Sequence, residues 1–114
     1  MNPRAGDIHW AIFDPSLGTE QAGQRPALVI SDSAYNARSN RIVVCPITSR
    51  IRDWPFDLRL PDGAKTRGVV LCDQIRALDK QARLHGLVER VPDVFLADVR
   101  RVLSTLLEID QPPV

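Results

Sequence analysis

The stretch from Gly18 to Ser31, GTEQAGQRPALVIS, joins a polar loop to an apolar run. Its first six residues are small or polar, which is typical of a surface loop that does not fill a core. The run from Ala27 to Ser31 predicts a central strand covered on both faces. Pro26 biases the residue before it toward extended backbone. We therefore expect Arg25 at the mouth of this strand, with its side chain leaving the sheet at an edge.

Other short strands are predicted on both sides of this stretch. The segment from Asp7 to Phe13 alternates, which places Ile8, Trp10 and Ile12 on one face of a half-buried strand. The polar segment from Asp32 to Asn40 is predicted to be turn-rich. Further strands are predicted at Arg41 to Ile47, Phe56 to Leu60 and Gly68 to Cys72.

The last third of the chain predicts an amphipathic helix capped by Asp93. Its apolar residues recur at intervals of three and four, and they are Phe95, Val99, Val102, Leu106 and Ile109. Several short strands and one closing helix indicate a fold that is mainly β with α (α+β), either a small twisted sheet or an open barrel. A length of 114 residues fits a single domain, residues 1–114.

Net charge and the length of the apolar segments limit the classes of protein to which this chain can belong. A formal net charge of +1 gives no global signature of a polyanion-binding protein, so a nucleic-acid partner requires a local basic patch. No segment approaches the roughly 20 apolar residues that span a membrane, and the first ten residues contain no signal-peptide core. We therefore expect a cytoplasmic protein without a membrane partner.

The two cysteines predict neither a disulfide scaffold nor a metal centre. Cys45 and Cys72 lie in apolar, strand-like runs, where a thiol behaves as a small buried group. Neither has a second ligand at metal spacing, and His9 and His85 stand alone. No metal or other cofactor is expected.

Arg25 is the first candidate for a functional residue. It follows a loop that contains Glu20 and Gln21 and has no packing role. A guanidinium offers five donors in a fixed fork, which suits a phosphate and the added charge of a pentacoordinate transition state. The ordinary alternative is a surface ion pair.

Thr48 is the second candidate. Pro46 cannot donate to a β ladder, which indicates a bulge or a strand end just before Thr48. Ser49 adds a second hydroxyl, and Arg50 and Arg52 add two cations. Hydroxyls and arginines together suit a phosphodiester backbone, the first as donors and the second as neutralising charges. Alternatively, Thr48 is a strand-end threonine favoured by β-propensity.

Four further residues, Glu20, Gln74, Arg76 and Trp54, each have more than one open interpretation. Glu20 is a candidate general base, or it orients Arg25, or it is a solvated carboxylate. Gln74 and Arg76 follow a predicted strand and could read base edges, or they are simply exposed to solvent. Trp54 could stack on a base, although an aromatic residue entering a strand more often packs in a core or an interface.

Three segments in order, GDIHWAIFDPSLGTEQAGQRPALVIS, VVCPITS and GVVLCDQIRALD, resemble the MazF/PemK family of toxin endoribonucleases from type II toxin–antitoxin pairs. The resemblance runs from Gly6 to about the end of the helix, and its most specific part is EQAGQRPALVIS. It implies a small SH3-like barrel of antiparallel strands with a C-terminal helix, working as a homodimer with a cognate MazE-like antitoxin.

The resemblance also implies a chemistry. Arg25 and Thr48 match catalytic positions of the family, and Glu20 matches an acidic position linked to activity. The implied reaction is sequence-specific, metal-independent cleavage of single-stranded RNA by the ribose 2′-hydroxyl, which leaves a 2′,3′-cyclic phosphate and a 5′-hydroxyl. Because guanidinium scarcely deprotonates, Arg25 is assigned to electrostatic stabilisation. The predicted RNA-binding residues are Gln21, Ser49, Arg50, Arg52, Gln74 and Arg76.

Two rival functions stay open. A gyrase-poisoning toxin of the CcdB type shares the fold and cuts nothing, but that relative looks to act through its C-terminal residues. This chain ends in DQPPV and retains Arg25 and Thr48, which favours the nuclease. The second rival is a non-catalytic barrel that only binds RNA or an antitoxin.

Overall fold

Antiparallel strands are the main regular elements of the structure, a computed structural model that describes residues 2–14, 18–20 and 23–109. Three α-helices and a short 3-10 helix, Cys72–Gln74, accompany the strands in these residues. The strands are β1 (Asp7–Ile12), β2 (Gln24–Val29), β3 (Arg41–Thr48), β4 (Asp57–Arg59), β5 (Val69–Leu71), β6 (Arg76–Asp79) and β7 (Leu84–Arg90). The helices are α1 (Ser33–Arg38), α2 (Lys80–Arg83) and α3 (Asp93–Leu106).

The strands pair in the order β4-β5-β3-β2-β1-β7, and β6 pairs with β3 beside this path. Strands β7, β1, β2, β3 and β6 curl into a small SH3-like barrel, and β4 and β5 extend the sheet from the end of β3. The amphipathic α3 packs through Phe95, Leu96, Val99 and Leu103. The predicted class, mainly β with α and with a C-terminal helix, is confirmed.

Strand β3 changes its partner partway along its length. Arg41 to Val44 pair with β6, whereas Ile47 and Thr48 pair with β5. Pro46 has no backbone N–H to donate. It lies between the residues paired with β6 and those paired with β5, so neither of these two ladders needs a hydrogen bond from it. Of the two alternatives predicted from Pro46, a bulge or a strand end just before Thr48, the strand end is wrong, because β3 runs through Pro46 to include Thr48.

Two apolar clusters stabilise the sheet from opposite faces. The first lies on one face, and its members are Ala11, Phe13, Ala27, Val29, Ile42, Val44 and Leu78. The second lies on the opposite face together with residues of α3, and it includes Ile8, Leu28, Cys45, Ile47, Val70, Phe95 and Val99. Because Leu28 and Val29 on successive positions are both fully buried, the prediction of a central strand covered on both faces is confirmed.

A side chain ties the small β4–β5 unit to the far edge of the sheet. Glu89 of β7 accepts hydrogen bonds from the backbone N–H of Lys65 (3.1 Å) and of Thr66 (2.6 Å), and from the hydroxyl of Thr66 (2.6 Å). Burial raises the pKa of Glu89, but these hydrogen bonds, with the nearby charge of Lys65, outweigh burial and lower it. The loop between β4 and β5 is therefore fixed against β7.

Several local predictions differ from the structure. Trp10 was assigned to the same face as Ile8, yet Trp10 is 42% exposed while Ile8 is fully buried. Asp93 is the first residue of α3, and its side chain makes no capping hydrogen bond. The helix ends at Leu106, and Ile109 is exposed. Helix α1 and strands β6 and β7 were not predicted as regular elements.

Candidate functional site

Pairing of β2 with β3 brings the two main candidates into neighbouring positions. The strands are in register at Ala27 and Pro46. Arg25 lies two residues before Ala27, and Thr48 lies two residues after Pro46. In an antiparallel pair, a step of two residues back along one strand and two residues forward along the other leads to the next pair of facing residues on the same side of the sheet. Extending the register in this way puts Arg25 opposite Thr48. Residues 23 positions apart in sequence are thus neighbours at one end of the central strands.

Arg25 lines a groove of about 530 Å³, referred to below as the groove. Its apolar lining comes from Trp10, Pro26, Ile47 and Val88, and its polar lining from Gln24, Arg25, Ser49, Lys65, Thr66 and Arg67. Three of these side chains are cations and none is a carboxylate. Within the described part of the chain, the groove is therefore a positively charged surface with an apolar floor, which suits an anionic chain that carries flat rings.

Backbone geometry holds Thr48 in place from two directions. Its hydroxyl oxygen accepts a hydrogen bond from the backbone N–H of Arg50 at 3.2 Å, which forms a turn directly after β3. A side chain at Gly68 would have its Cβ only 2.0 Å from the carbonyl oxygen of Thr48. Since Gly68 also has a positive φ of 120°, this close approach requires glycine. The hydroxyl proton of Thr48 remains available to donate to a ligand.

The loop after Thr48 is held by its own polar contacts. Arg52 forms a two-point ion pair with Asp57, whose side chain is almost fully buried, at 2.6 and 3.2 Å. The indole N–H of Trp54 donates to Asp73 at 2.9 Å, and the Trp54 ring packs against Phe56. The charge of Arg52 is therefore already paired, and its predicted binding to RNA stays a prediction.

Glu20, Gln74 and Arg76 do not line the groove. They lie together in a separate hollow of about 470 Å³, referred to below as the cleft, which also includes Phe13 and Pro46. The guanidinium of Arg76 stands 5.7 Å from the centre of the Phe13 ring, within the range of a cation–π contact. Because Pro46 lines the cleft and its neighbour Ile47 lines the groove, the end of β3 separates the two hollows.

The remaining predicted residues fall into two groups. Ser49 lines the groove, and Arg50 is exposed in the turn after it. Gln21 lies outside the described residues. Lys65 and Arg67 were not predicted as site residues, because in sequence they sit in a polar loop after a Pro-Asp-Gly turn. The only sequence signal for them is two cations spaced by two residues just before a strand.

Another cavity of the structure lies away from the predicted site residues. This larger cavity of about 640 Å³ lies beside α2 and β7, and none of the predicted catalytic or RNA-binding residues that the structure describes lines it.

Within the described ranges, no three His, Cys, Asp or Glu side chains are grouped as metal ligands. The helices that the structure describes are all too short or too polar to span a membrane.

The fold and the groove define a small antiparallel barrel with a cationic surface at the end of its central strands. The chain matches the family described as PemK-like, MazF-like toxin of type II toxin-antitoxin system over residues 4–107. It is 40% identical over 106 residues to a relative from Escherichia coli named Endoribonuclease PemK, and the match covers 90% of this chain and 80% of the relative.

Solved structures agree with this match. The crystal structure of MazF from Deinococcus radiodurans has a TM-score of 0.87 and 40% identity, covering 96% of this chain and 99% of that chain. A MazE-MazF crystal structure from the same organism has a TM-score of 0.83 and 39% identity, with 96% and 99% covered. This chain therefore belongs to the PemK-like, MazF-like toxin family of type II toxin–antitoxin systems.

Proposed function

We propose that this protein is the toxin of a type II toxin–antitoxin pair and acts as a sequence-specific endoribonuclease on single-stranded RNA, without a metal. Family membership and the relative named Endoribonuclease PemK support the activity. The observation that carries the proposal for this chain is the register of β2 with β3, which puts Arg25 and Thr48 just beyond the same end of the paired residues, with Arg25 lining a groove that also holds Lys65 and Arg67.

The proposed reaction is an internal transesterification. The ribose 2′-hydroxyl loses its proton and its oxygen attacks the adjacent phosphorus, while the bond from phosphorus to the 5′-oxygen breaks and that oxygen takes up a proton. Arg25 stabilises the charge that develops on the phosphoryl oxygens, and Thr48 donates a hydrogen bond to the scissile phosphate. Glu20 is proposed as the base, reaching the 2′-hydroxyl from the cleft side of β3.

The products distinguish this reaction from hydrolysis by an activated water. One fragment ends in a 2′,3′-cyclic phosphate and the other begins with a 5′-hydroxyl. We would incubate the protein with a long single-stranded RNA in EDTA, map the ends and test them for a cyclic phosphate. The matching DNA, which lacks the 2′-hydroxyl, should remain intact. Intact RNA, or cleavage of DNA at the same rate, would contradict the proposal.

The same experiment separates the rival functions. A gyrase poison of the CcdB type would leave RNA uncut and would inhibit supercoiling in the presence of gyrase. A non-catalytic barrel would shift RNA in a gel without cutting it. The position of Arg25 and Thr48 at the same end of β2 and β3 favours the nuclease, since neither rival needs a guanidinium near a hydroxyl.

The proposed partners are RNA, a cognate MazE-like antitoxin and a second copy of the chain, all in the cytoplasm. The existence of MazE-MazF structures for a relative supports the antitoxin. An extended acidic peptide suits a cationic groove with an apolar floor, so peptide and RNA should compete. Cleavage kinetics at several concentrations of both ligands test this, and light scattering tests for a dimer at micromolar concentration. Noncompetitive inhibition or a strict monomer that cleaves RNA would contradict these assignments.

A further inference from the structure

Part of the groove, referred to below as its wall, comes from the loop between β4 and β5, residues 60–68. Lys65, Thr66 and Arg67 of this loop line the groove. The side chains of Lys65 and Arg67 are exposed, and among the described residues neither forms an ion pair. The charge of Lys65 also lies near the Glu89 carboxylate, but neither cation forms a direct salt bridge within the described part of the chain, so both exposed side chains can reach an anionic ligand in the groove.

This wall is fixed in position rather than free to swing. Glu89 of β7 binds the backbone N–H groups of Lys65 and Thr66 and the Thr66 hydroxyl. Both oxygens of the Glu89 carboxylate are occupied by these donors, and Glu89 does not line the groove. The Glu89 carboxylate therefore holds the backbone of the loop from outside the groove lining, while the side chains of Lys65 and Arg67 belong to that lining.

We propose that Lys65 and Arg67 bind phosphates of the RNA other than the scissile one, and that Glu89 is a positioning residue that holds them against the groove. This inference rests on the proposed function for the identity of the ligand, single-stranded RNA. Contacts to phosphates that do not react strengthen binding of the ground state and the transition state alike. Loss of Lys65 or Arg67 therefore raises KM and lowers kcat/KM, while kcat stays close to that of the wild type.

The salt dependence of binding measures these contacts directly. Each neutralised phosphate of a single strand contributes about 0.7 to the slope of log affinity against log salt. The double variant Lys65→Gln/Arg67→Gln should therefore show a slope smaller by about 1.4. Over a tenfold rise in salt, the wild type should lose about 25-fold more affinity than this variant.

The probe is a fluorescently labelled single-stranded RNA of mixed sequence with 2′-deoxy sugars at the mapped cleavage positions, and the readout is anisotropy. The matched control is Arg38→Gln/Arg41→Gln, which removes the same charge from the α1–β3 corner. Arg41 begins β3 and Thr48 ends it, so the control lies about 23 Å from the site along the strand. We expect the control to keep the wild-type slope.

Glu89→Ala tests the positioning role by the sign of its effect. Simple electrostatics predicts tighter RNA binding, because the variant loses a negative charge near a polyanion. If Glu89 orients the wall, RNA binding becomes weaker instead, with kcat unchanged. Binding that is unchanged or tighter in a folded Glu89→Ala variant would overturn the positioning role.

The inference and the proposed function fail in different ways. Equal salt slopes for wild type and Lys65→Gln/Arg67→Gln would overturn the inference even if RNA is cleaved. If the wild type binds RNA but does not cleave it, the proposed nuclease is wrong, and the slopes still decide the role of Lys65 and Arg67. If it does not bind RNA, both are overturned.

Discussion

Gly68→Ala should damage the site without touching any side chain in it. A Cβ at position 68 would lie 2.0 Å from the carbonyl oxygen of Thr48 and 2.8 Å from the Cα of Ser49. Cβ atoms essentially never approach within 3.0 Å of other heavy atoms, so the end of β3 has to move by about 1 Å. The φ of 120° adds backbone strain, because an alanine rarely adopts it.

Together these effects should destabilise the fold by on the order of 3 kcal/mol and lower its melting temperature by roughly 10–20 °C. A displacement of about 1 Å at a catalytic group costs about 100-fold in rate. We would measure the melting temperature by circular dichroism, and RNA cleavage well below the melting temperature of the variant, so that the lost rate reports geometry rather than unfolding.

Gly63→Ala is the matched control, since it lies in the same loop. Its Cβ would meet nothing within 4 Å, and Gly63 is absent from the glycines with positive φ. The control should keep the wild-type rate and gain slightly in stability. A Gly68→Ala variant with the melting temperature and cleavage rate of the wild type would refute the reasoning that the backbone of Thr48 needs this glycine.

Three further changes have expected outcomes. Arg25→Ala and Thr48→Ala should each slow RNA cleavage about 100- to 1000-fold while the protein stays folded at the assay temperature, and wild-type rates in both folded variants would end the catalytic assignment. Because the pKa of Glu89 is lowered in the folded protein, its stabilising effect is present above the ordinary pKa of 4.5 and is lost as pH falls through the folded-state pKa. The difference in melting temperature between wild type and Glu89→Gln should therefore shrink as the pH is lowered below 4.5, and a difference that stays constant would argue against these hydrogen bonds of Glu89. Burial raises the pKa of both Cys45 and Cys72, the latter to about 12, so neither thiol should be alkylated by iodoacetamide in the folded protein. Mass spectrometry would report this, and rapid labelling would contradict it.

Strands with a strong local apolar signal could be predicted from the sequence, and elements held by distant contacts could not. Leu28 and Val29 lie in an unbroken apolar run, which predicts a buried strand by itself. Strand β7 contains His85 and Gly86, which interrupt the alternation, and it forms because β1 supplies a partner. Helix α1 has no apolar periodicity, but the fully buried Asn36 donates to the carbonyl oxygen of Pro3 from within it.

The candidate site follows the same rule. Arg25 and Thr48 could be selected because their residue types suit a phosphate, but their proximity depends on the register of β2 with β3. The ion pair that occupies Arg52 depends on a tight turn that brings Asp57 back to it. Lys65 and Arg67 were missed because only the fold aligns their loop with the groove. The residue types indicate which side chains suit a phosphate. Which of these side chains lie close together depends on how the strands pair.

The change of partner within β3 has a consequence for how this protein unfolds. The barrel and the β4–β5 unit share one continuous strand, so loss of order in β3 removes hydrogen bonds from both. We expect no partly folded state in which one unit melts alone, and the amides at the centre of β3 should exchange with solvent only on global unfolding. The residues that carry the proposed chemistry, Arg25 and Thr48, would then persist or disappear together with the whole fold.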